Sequence, residues 1–297
     1  MSSQSMMPAG NVEVYGAPLP PRFPDILGIG AQKAGTTWLF ENLRRHPALW
    51  LAPVKELQYF NDLYIPQHRR WTGTHRESHG TRILNQHLNH VPLERRNYRL
   101  IARLADIITG PISDPWYGSI FTLARPDQIC GEITPSYALL PEAGIEHVLR
   151  LSPDVKILFS LRDPIERNWS HARMIARREG AVDLQRAATH PELERQAHYP
   201  ELIARWRKFV PESRFRIIFV DDLLEKPEEL FAEVCGFLGL DFDRKYFPDL
   251  ETKVHVGDAM DIPDDIYATM KEHMRPIYEQ VAGLYPEIGK RWIAKHY

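Results

Sequence analysis

Two short stretches hold residues whose types and spacing suit phosphate chemistry. In "GIGAQKAGTTWLFENLRRHP", Gly30 and Gly35 are spaced G-x-x-x-x-G, with Lys33 inside the interval and Thr36 and Thr37 directly after it. A glycine-bearing turn that opens a helix offers free backbone N–H groups and a positive dipole end to an anion. A Walker A loop would place Lys and Ser/Thr immediately after the second glycine. A lysine inside the cradle instead stands beside a single phosphate and its outermost bond. A lone G-x-x-x-x-G also occurs in strand-to-helix turns that bind nothing, and Lys33, Thr36 and Thr37 argue against that reading. The second stretch, "KILFSLRDPIERNWSHARM", ends an apolar run at Arg162, before an Asp163-Pro164 turn. An arginine at a strand's carboxyl end faces the ligand crevice, where its fork suits phosphate. The plainer alternative is a surface ion pair between Arg162 and Asp163.

These residues need elements to carry them. "FPDILGIGA" reads as a buried strand leading through "QKAG" into a helix stopped near Pro47, and "ALWLAP" as a second short strand. "DQICGEITPSY" and "VKILFSL" are strand-like, the latter typical of a central parallel strand. Helices are expected over "PEAGIEHVLRLSP", in the segment after Asp163-Pro164 up to Gly180, over "LERQAHYPELIARWRKFVP", and over "PEELFAEVCGFLGL" up to Gly239. "RFRIIFVDDLL" adds a strand and turn, and the C-terminus is helical with a break expected at Pro276. Strands alternating with helices predict one three-layer α/β domain on a mainly parallel sheet. Residues 1–22 read as a loosely held leader and 23–297 as the domain. Residues 61–127, weakly periodic, read as a substrate-side insertion.

Composition sets outer limits. Over 297 residues, 43% hydrophobic and 26% charged content suit a soluble globular chain large enough for a full core. A net charge of −2 gives no sign of nucleic acid or an anionic membrane as a main partner. The sequence has neither a secretory-type start nor an apolar run long enough for a membrane span, so a cytoplasmic enzyme without stable membrane insertion is expected. Cys130 and Cys235 lie in apolar surroundings and read as free core thiols. His75 and His79 in "THRESH" have the i, i+4 spacing of helical metal ligands, but no third ligand supports them and they read as solvated loop histidines. No metal is expected. His171 and the arginines of "RMIARREG" read as helix surface, with the arginines also able to line a groove for an anionic acceptor.

The two phosphate stretches, in this order and more than a hundred residues apart, resemble the paired motifs of the sulfotransferases that use 3′-phosphoadenosine-5′-phosphosulfate (PAPS). "QKAGTTW" is similar to that superfamily's 5′-phosphosulfate loop, which implies that Gln32, Lys33, Ala34, Gly35, Thr36 and Thr37 hold the phosphosulfate. Trp38 then stands either near the nucleotide or in the core. The pattern of a strand, Arg-Asp-Pro and a later serine implies that Arg162 and Ser170 bind the 3′-phosphate. "VKELQYFND" is similar to a segment of the heparan sulfate N- and O-sulfotransferases, which implies that Glu56 is the base; Gln58 and Asn61 match the N-sulfotransferase variant. "GEITPSY" resembles that group's G-E-K-T-P-x-Y, with Ile133 in place of Lys. By position, Lys253 and Gly257 in "ETKVHVGDAM" correspond to a late loop at the 3′-phosphate, although that group's lysine-glycine-arginine sequence is absent. The resemblance implies sulfuryl transfer from PAPS to a hydroxyl or amine on a carbohydrate or small molecule, releasing adenosine 3′,5′-bisphosphate. Two alternatives remain. One is a P-loop kinase or NTPase, for which "RIIFVDD" would supply Asp221; the other is a non-catalytic nucleotide-binding protein on the same fold.

Overall fold

The computed structural model describes residues 19–179, 184, 188, 190–252 and 261–297. The expected leader therefore lies mostly outside the described residues, as do Gly180, Lys253 and Gly257. Five parallel strands form one sheet in the order β2-β3-β1-β4-β5. They are β1 (Ile26–Gly30), β2 (Leu49–Leu51), β3 (Ile129–Ile133), β4 (Lys156–Leu161) and β5 (Phe215–Phe219). β1 is buried throughout, as a central strand covered on both faces must be. β3 lies on one side of β1 and β4 on the other, so connections diverge at β1, and the crevice beyond the strands' carboxyl ends there is where such sheets bind ligands.

Helix α1 (Thr36–Leu43) follows β1. After β2 come α2 (Tyr59–Tyr64), α3 (Arg69–His90), α4 (Tyr98–Thr109) and α5 (Asp114–Phe121). The segment read as a weakly periodic insertion is thus largely helical. α3 runs 22 residues and buries only Thr72, Arg76 and Gly80. So narrow a buried stripe leaves most of its surface polar, which is why apolar periodicity gave no helix there.

α6 (Glu142–Leu151) precedes β4, and α7 (Pro164–Glu179) follows it. The helix expected over residues 193–211 is divided into α8 (Pro191–Arg195) and α9 (Tyr199–Arg207), with Pro200 in the first turn of the second. α10 (Val220–Glu225) and α11 (Pro227–Leu238) follow β5, and Gly239 closes α11 with a φ of 82°. α12 (Asp264–Leu284) continues through Pro276, contrary to the expected break, before α13 (Pro286–His296). Ile277, Tyr278 and Val281 beyond the proline are all buried, and this packing holds the two halves as one helix.

Two apolar clusters sandwich the sheet. Leu27, Ile29, Phe159 and Trp206 belong to one, and Ile26, Leu43, Leu158 and Phe231 to the other. Cys130 and Cys235 are free, buried thiols, as expected.

Candidate functional site

The turn from β1 to α1 is built for close approach by an anion. Gly35 caps α1 with a φ of 74°, in the left-handed region where glycine is favoured. Among the described residues, the N–H groups of Lys33, Gly35, Thr36 and Thr37 take no acceptor, so four donors gather at one helix start. Ala34 is buried and its N–H donates to the Ala31 carbonyl at 3.1 Å, so it shapes the turn. Gln32, Lys33, Gly35 and Thr37 are partly exposed in the crevice, while Thr36 is buried. Trp38 packs edge-on against Phe231 at 5.5 Å and donates from its indole N–H to the Leu250 carbonyl at 2.9 Å. It is a core residue, and of the two readings given for it the structure supports that one.

Burial holds the Lys33 ammonium below its ordinary range, and the charges of Arg162, Arg173, Arg177 and Lys55 lower it further. Cations crowded so closely repel one another until an anion lies among them. Arg173 and Arg177, read from sequence as a helix face, therefore belong to the electrostatic surroundings of the loop. Arg162 leaves the end of β4 and donates to the Lys33 carbonyl at 3.4 Å, which brings the two phosphate motifs together across 129 residues of sequence. Its guanidinium also pairs with Glu166 at 3.0 Å. The Arg162–Asp163 surface pair does not form. Asp163 is buried and meets His296 at 2.8 Å, and it accepts from Tyr278 at 2.7 Å and from the Glu166 N–H at 3.1 Å. The C-terminal helices thus brace the turn that presents Arg162. Ser170 lies partly exposed on α7, two turns beyond Arg162.

Arg167 went unremarked in the sequence. Its guanidinium is fully buried, and its partners are all neutral: the carbonyls of Gln32 (3.3 Å) and Leu193, and the amide oxygens of Gln196 (3.1 Å) and Asn168 (3.0 Å). Burial lowers its pKa to about 10, so it remains charged. By holding the Gln32 carbonyl it turns the opposite edge of that peptide, the Lys33 N–H, away from itself. A signal was present in the sequence, an arginine on the helix bearing Ser170, but it reads like any surface arginine.

Glu56 sits after β2. Lys55 Nζ lies 2.7 Å from its carboxylate and Gln58 Nε2 donates to it at 3.3 Å. Burial pushes the carboxyl pKa up, but the Lys55 ammonium, which also hydrogen-bonds it, and the nearby His75 outweigh it and the net shift is downward, so Glu56 is ionised at neutral pH. Its side chain is only 19% exposed, so it is not a freely solvated charge. Glu56 and Gln58 adopt φ values of 65° and 57°, and Lys33 one of 70°; these are the only non-glycine residues with positive φ among the described residues. All three lie in the two site segments, where surrounding contacts must hold such strained conformations. Gln58 is buried, its amide oxygen accepting from Asn61 (2.6 Å) and Ser136 (2.9 Å). Glu132 of β3, 1% exposed, accepts from Tyr117, Thr134 and Tyr137 and from the Leu57 N–H at 3.2 Å, which fixes the residue after Glu56.

His75 and His79 are corrected by the structure. They lie on α3, not in a loop, and stack with ring centroids 4.1 Å apart. Among the described residues no group of three His, Cys, Asp or Glu could hold a metal ion, and no helix is long and apolar enough to cross a membrane. His171 is buried on α7 rather than at the helix surface. Asp221 accepts from the Trp292 indole at 3.0 Å and lies 3.4 Å from Arg291, so its carboxylate is already engaged by side chains.

Comparisons of sequence and fold set this chain beside sulfotransferases. A human protein described as heparan sulfate glucosamine 3-O-sulfotransferase 6 is 26% identical over 78% of this chain and 59% of its own length. The membrane-associated sulfotransferase kil1 of Dictyostelium discoideum is 25% identical over 73% of this chain and 56% of its own. The chain thus spans just over half the length of the curated relatives it matches. A sulfotransferase from Alicyclobacillus acidocaldarius shares the fold with a TM-score of 0.60 at 19% identity, covering 91% of this chain and 98% of that one. The sulfotransferase domain of the curacin biosynthetic pathway does so with a TM-score of 0.59 at 18% identity, covering 88% and 98%. The model of the sulfotransferase family matches residues 24–244, and with two phosphate motifs meeting beside β1 the chain belongs to that family.

Proposed function

We propose that this chain transfers a sulfuryl group from PAPS to a hydroxyl or amine, with Glu56 as the base. The observation that carries the reading is the meeting of Arg162 with the Lys33 carbonyl, which gathers the free N–H donors and the surrounding cations at one crevice. That donor set fits a dianionic phosphosulfate and has room in its charge balance for a second phosphate. Lys33 and the N–H groups of Gly35, Thr36 and Thr37 hold the 5′ end. Arg162 and Ser170 take the 3′-phosphate, with Arg162 exchanging its Glu166 contact for that group.

In the transfer, the bond from sulfur to the bridging phosphate oxygen breaks as the bond from sulfur to the acceptor oxygen or nitrogen forms. Charge grows on the leaving oxygen, where the Lys33 ammonium stabilises it. Glu56, held ionised by Lys55, takes the acceptor's proton. Gln58 and the Glu132–Leu57 bond keep the carboxylate in place, so orientation is set before the acceptor arrives. The products are the sulfated acceptor and adenosine 3′,5′-bisphosphate. The heparan sulfate relatives favour a carbohydrate acceptor, with a small molecule as the alternative. Incubation with labelled PAPS and a panel of carbohydrate and small-molecule acceptors, read by mass spectrometry, tests the assignment. Label appearing in an acceptor is expected; hydrolysis of ATP with no use of PAPS would refute it.

A further inference from the structure

One face of α3 carries a row of rings beside Glu56. Trp71 meets His75 edge-on at 6.2 Å, and His75 stacks on His79 at 4.1 Å. All three are half-buried, spaced i, i+4, i+8, so they line one stripe next to the buried Thr72, Arg76 and Gly80. The stripe is fixed to the base's own segment. His75 Nε2 lies 3.3 Å from the Lys55 carbonyl, and Arg76 donates to the Leu57 carbonyl at 3.3 Å, so α3 grips the chain on both sides of Glu56. At its other end the row continues through His68, whose ring lies 5.2 Å from Trp71. His68 also lines a cavity of about 460 Å³, together with Ile65, Leu139, Leu202 and Arg205. The row therefore runs from the candidate base to a cavity lined by both apolar and charged side chains, Glu142 and Glu201 among them.

We infer that Trp71, His75 and His79 form the acceptor platform, on which an uncharged six-membered ring lies flat and presents its hydroxyl or amine to Glu56, while the rest of the acceptor extends toward the His68 cavity. The inference rests on the proposed transfer with Glu56 as base. The indole of Trp71, turned 81° from His75 rather than stacked on it, suits the C–H face of a sugar ring or the face of an aryl ring, and the stacked His75–His79 pair borders that ring with its edges, whereas a flexible alkanol has no flat face to offer. Burial, with His75 and Arg82, lowers the His79 pKa to about 4, so that ring adds no charge to the platform at neutral pH. A sugar ring and an aryl ring share the chemistry the row would recognise, and the choice of probes separates them.

The test uses the full chain and measures binding of methyl β-glucoside, 2-naphthol and 1-hexanol by ligand-observed NMR, with and without adenosine 3′,5′-bisphosphate. At least one ring probe is expected to bind and to outcompete 1-hexanol; glucoside alone indicates a sugar, naphthol alone an aryl acceptor. Trp71→Leu, His75→Gln and His79→Gln keep good helix formers on α3. Each is expected to weaken the ring probe about threefold to tenfold while leaving affinity for adenosine 3′,5′-bisphosphate within a factor of about two of the parent. The retained nucleotide affinity also certifies folding. Absence of ring-probe binding at millimolar concentration, or ring binding unchanged in the triple variant, would overturn the platform. Failure of the parent chain to bind adenosine 3′,5′-bisphosphate would instead count against the proposed transfer itself.

Discussion

The proposed nucleotide end and the proposed acceptor end of this crevice are built by different means. The nucleotide end uses backbone N–H groups and cations set directly on strand ends, at Lys33 after β1 and Arg162 after β4. The acceptor end is assembled from side chains that meet only through tertiary packing: Glu56 after β2, Glu132 on β3, and His75 with Arg76 on α3. A site made of backbone and strand ends tolerates little change in sequence, because the spacing of its glycines and its lysine fixes the geometry. A site made of packed side chains can change its specificity while the sheet beneath it stays the same.

That contrast predicts where substitutions act. Glu56→Gln should produce the largest loss, roughly 10²- to 10⁴-fold in kcat, with nucleotide affinity unchanged. Isothermal titration with adenosine 3′,5′-bisphosphate alongside initial rates checks both parts. Because the Glu56 carboxyl is held below its ordinary range, the parent's rate should fall only as the pH drops beneath that of a normal glutamate, near 4.3. A rate that already falls between pH 6 and about 5 would name a different base. Lys33→Ala should lower kcat by about 10²- to 10³-fold, through lost stabilisation of the leaving oxygen, and Lys33→Arg should not restore it fully. Arg162→Ala should act on nucleotide affinity instead, by roughly tenfold to a hundredfold, with a smaller change in kcat.

Arg167→Leu, the smallest effect on chemistry, should act on stability. It leaves the Gln32 and Leu193 carbonyls and two amide oxygens without their donor, at about 1–3 kcal/mol for each acceptor that water does not reach. Its Tm loss should be partly recovered by adenosine 3′,5′-bisphosphate, which orders the same loop. An unchanged Tm would mean that the Gln32 carbonyl needs no such support.

The same contrast governs how much could be read from the residues. The β1 loop and the β4 turn are legible because Gly30, Lys33, Gly35 and Arg162 stand at the ends of apolar runs, in spacings that resemble the paired motifs of the sulfotransferases. The five strands were legible because buried parallel strands are near-continuous apolar runs. α3 was not, because a helix that buries Thr72, Arg76 and Gly80 carries no apolar stripe to detect. His75 and His79 consequently read as solvated loop histidines, with nothing in the sequence to set His75 against the Lys55 carbonyl beside Glu56. Arg167 was missed for a related reason, since burial of a charge is set by partners such as Leu193 and Gln196, which sequence distance conceals. The continuity of α12 through Pro276 likewise rests on packing by Ile277, Tyr278 and Val281 rather than on local propensity.

The most direct test of the paired phosphate site is the thermal shift of the parent and of Arg162→Ala with adenosine 3′,5′-bisphosphate, adenosine 5′-phosphate, and ATP with Mg²⁺. The parent should be stabilised most by the 3′,5′-bisphosphate, and Arg162→Ala should lose that preference while still responding to the 5′-phosphate. Stabilisation by ATP with Mg²⁺ alone, or a 3′-phosphate preference that survives in Arg162→Ala, would contradict the account.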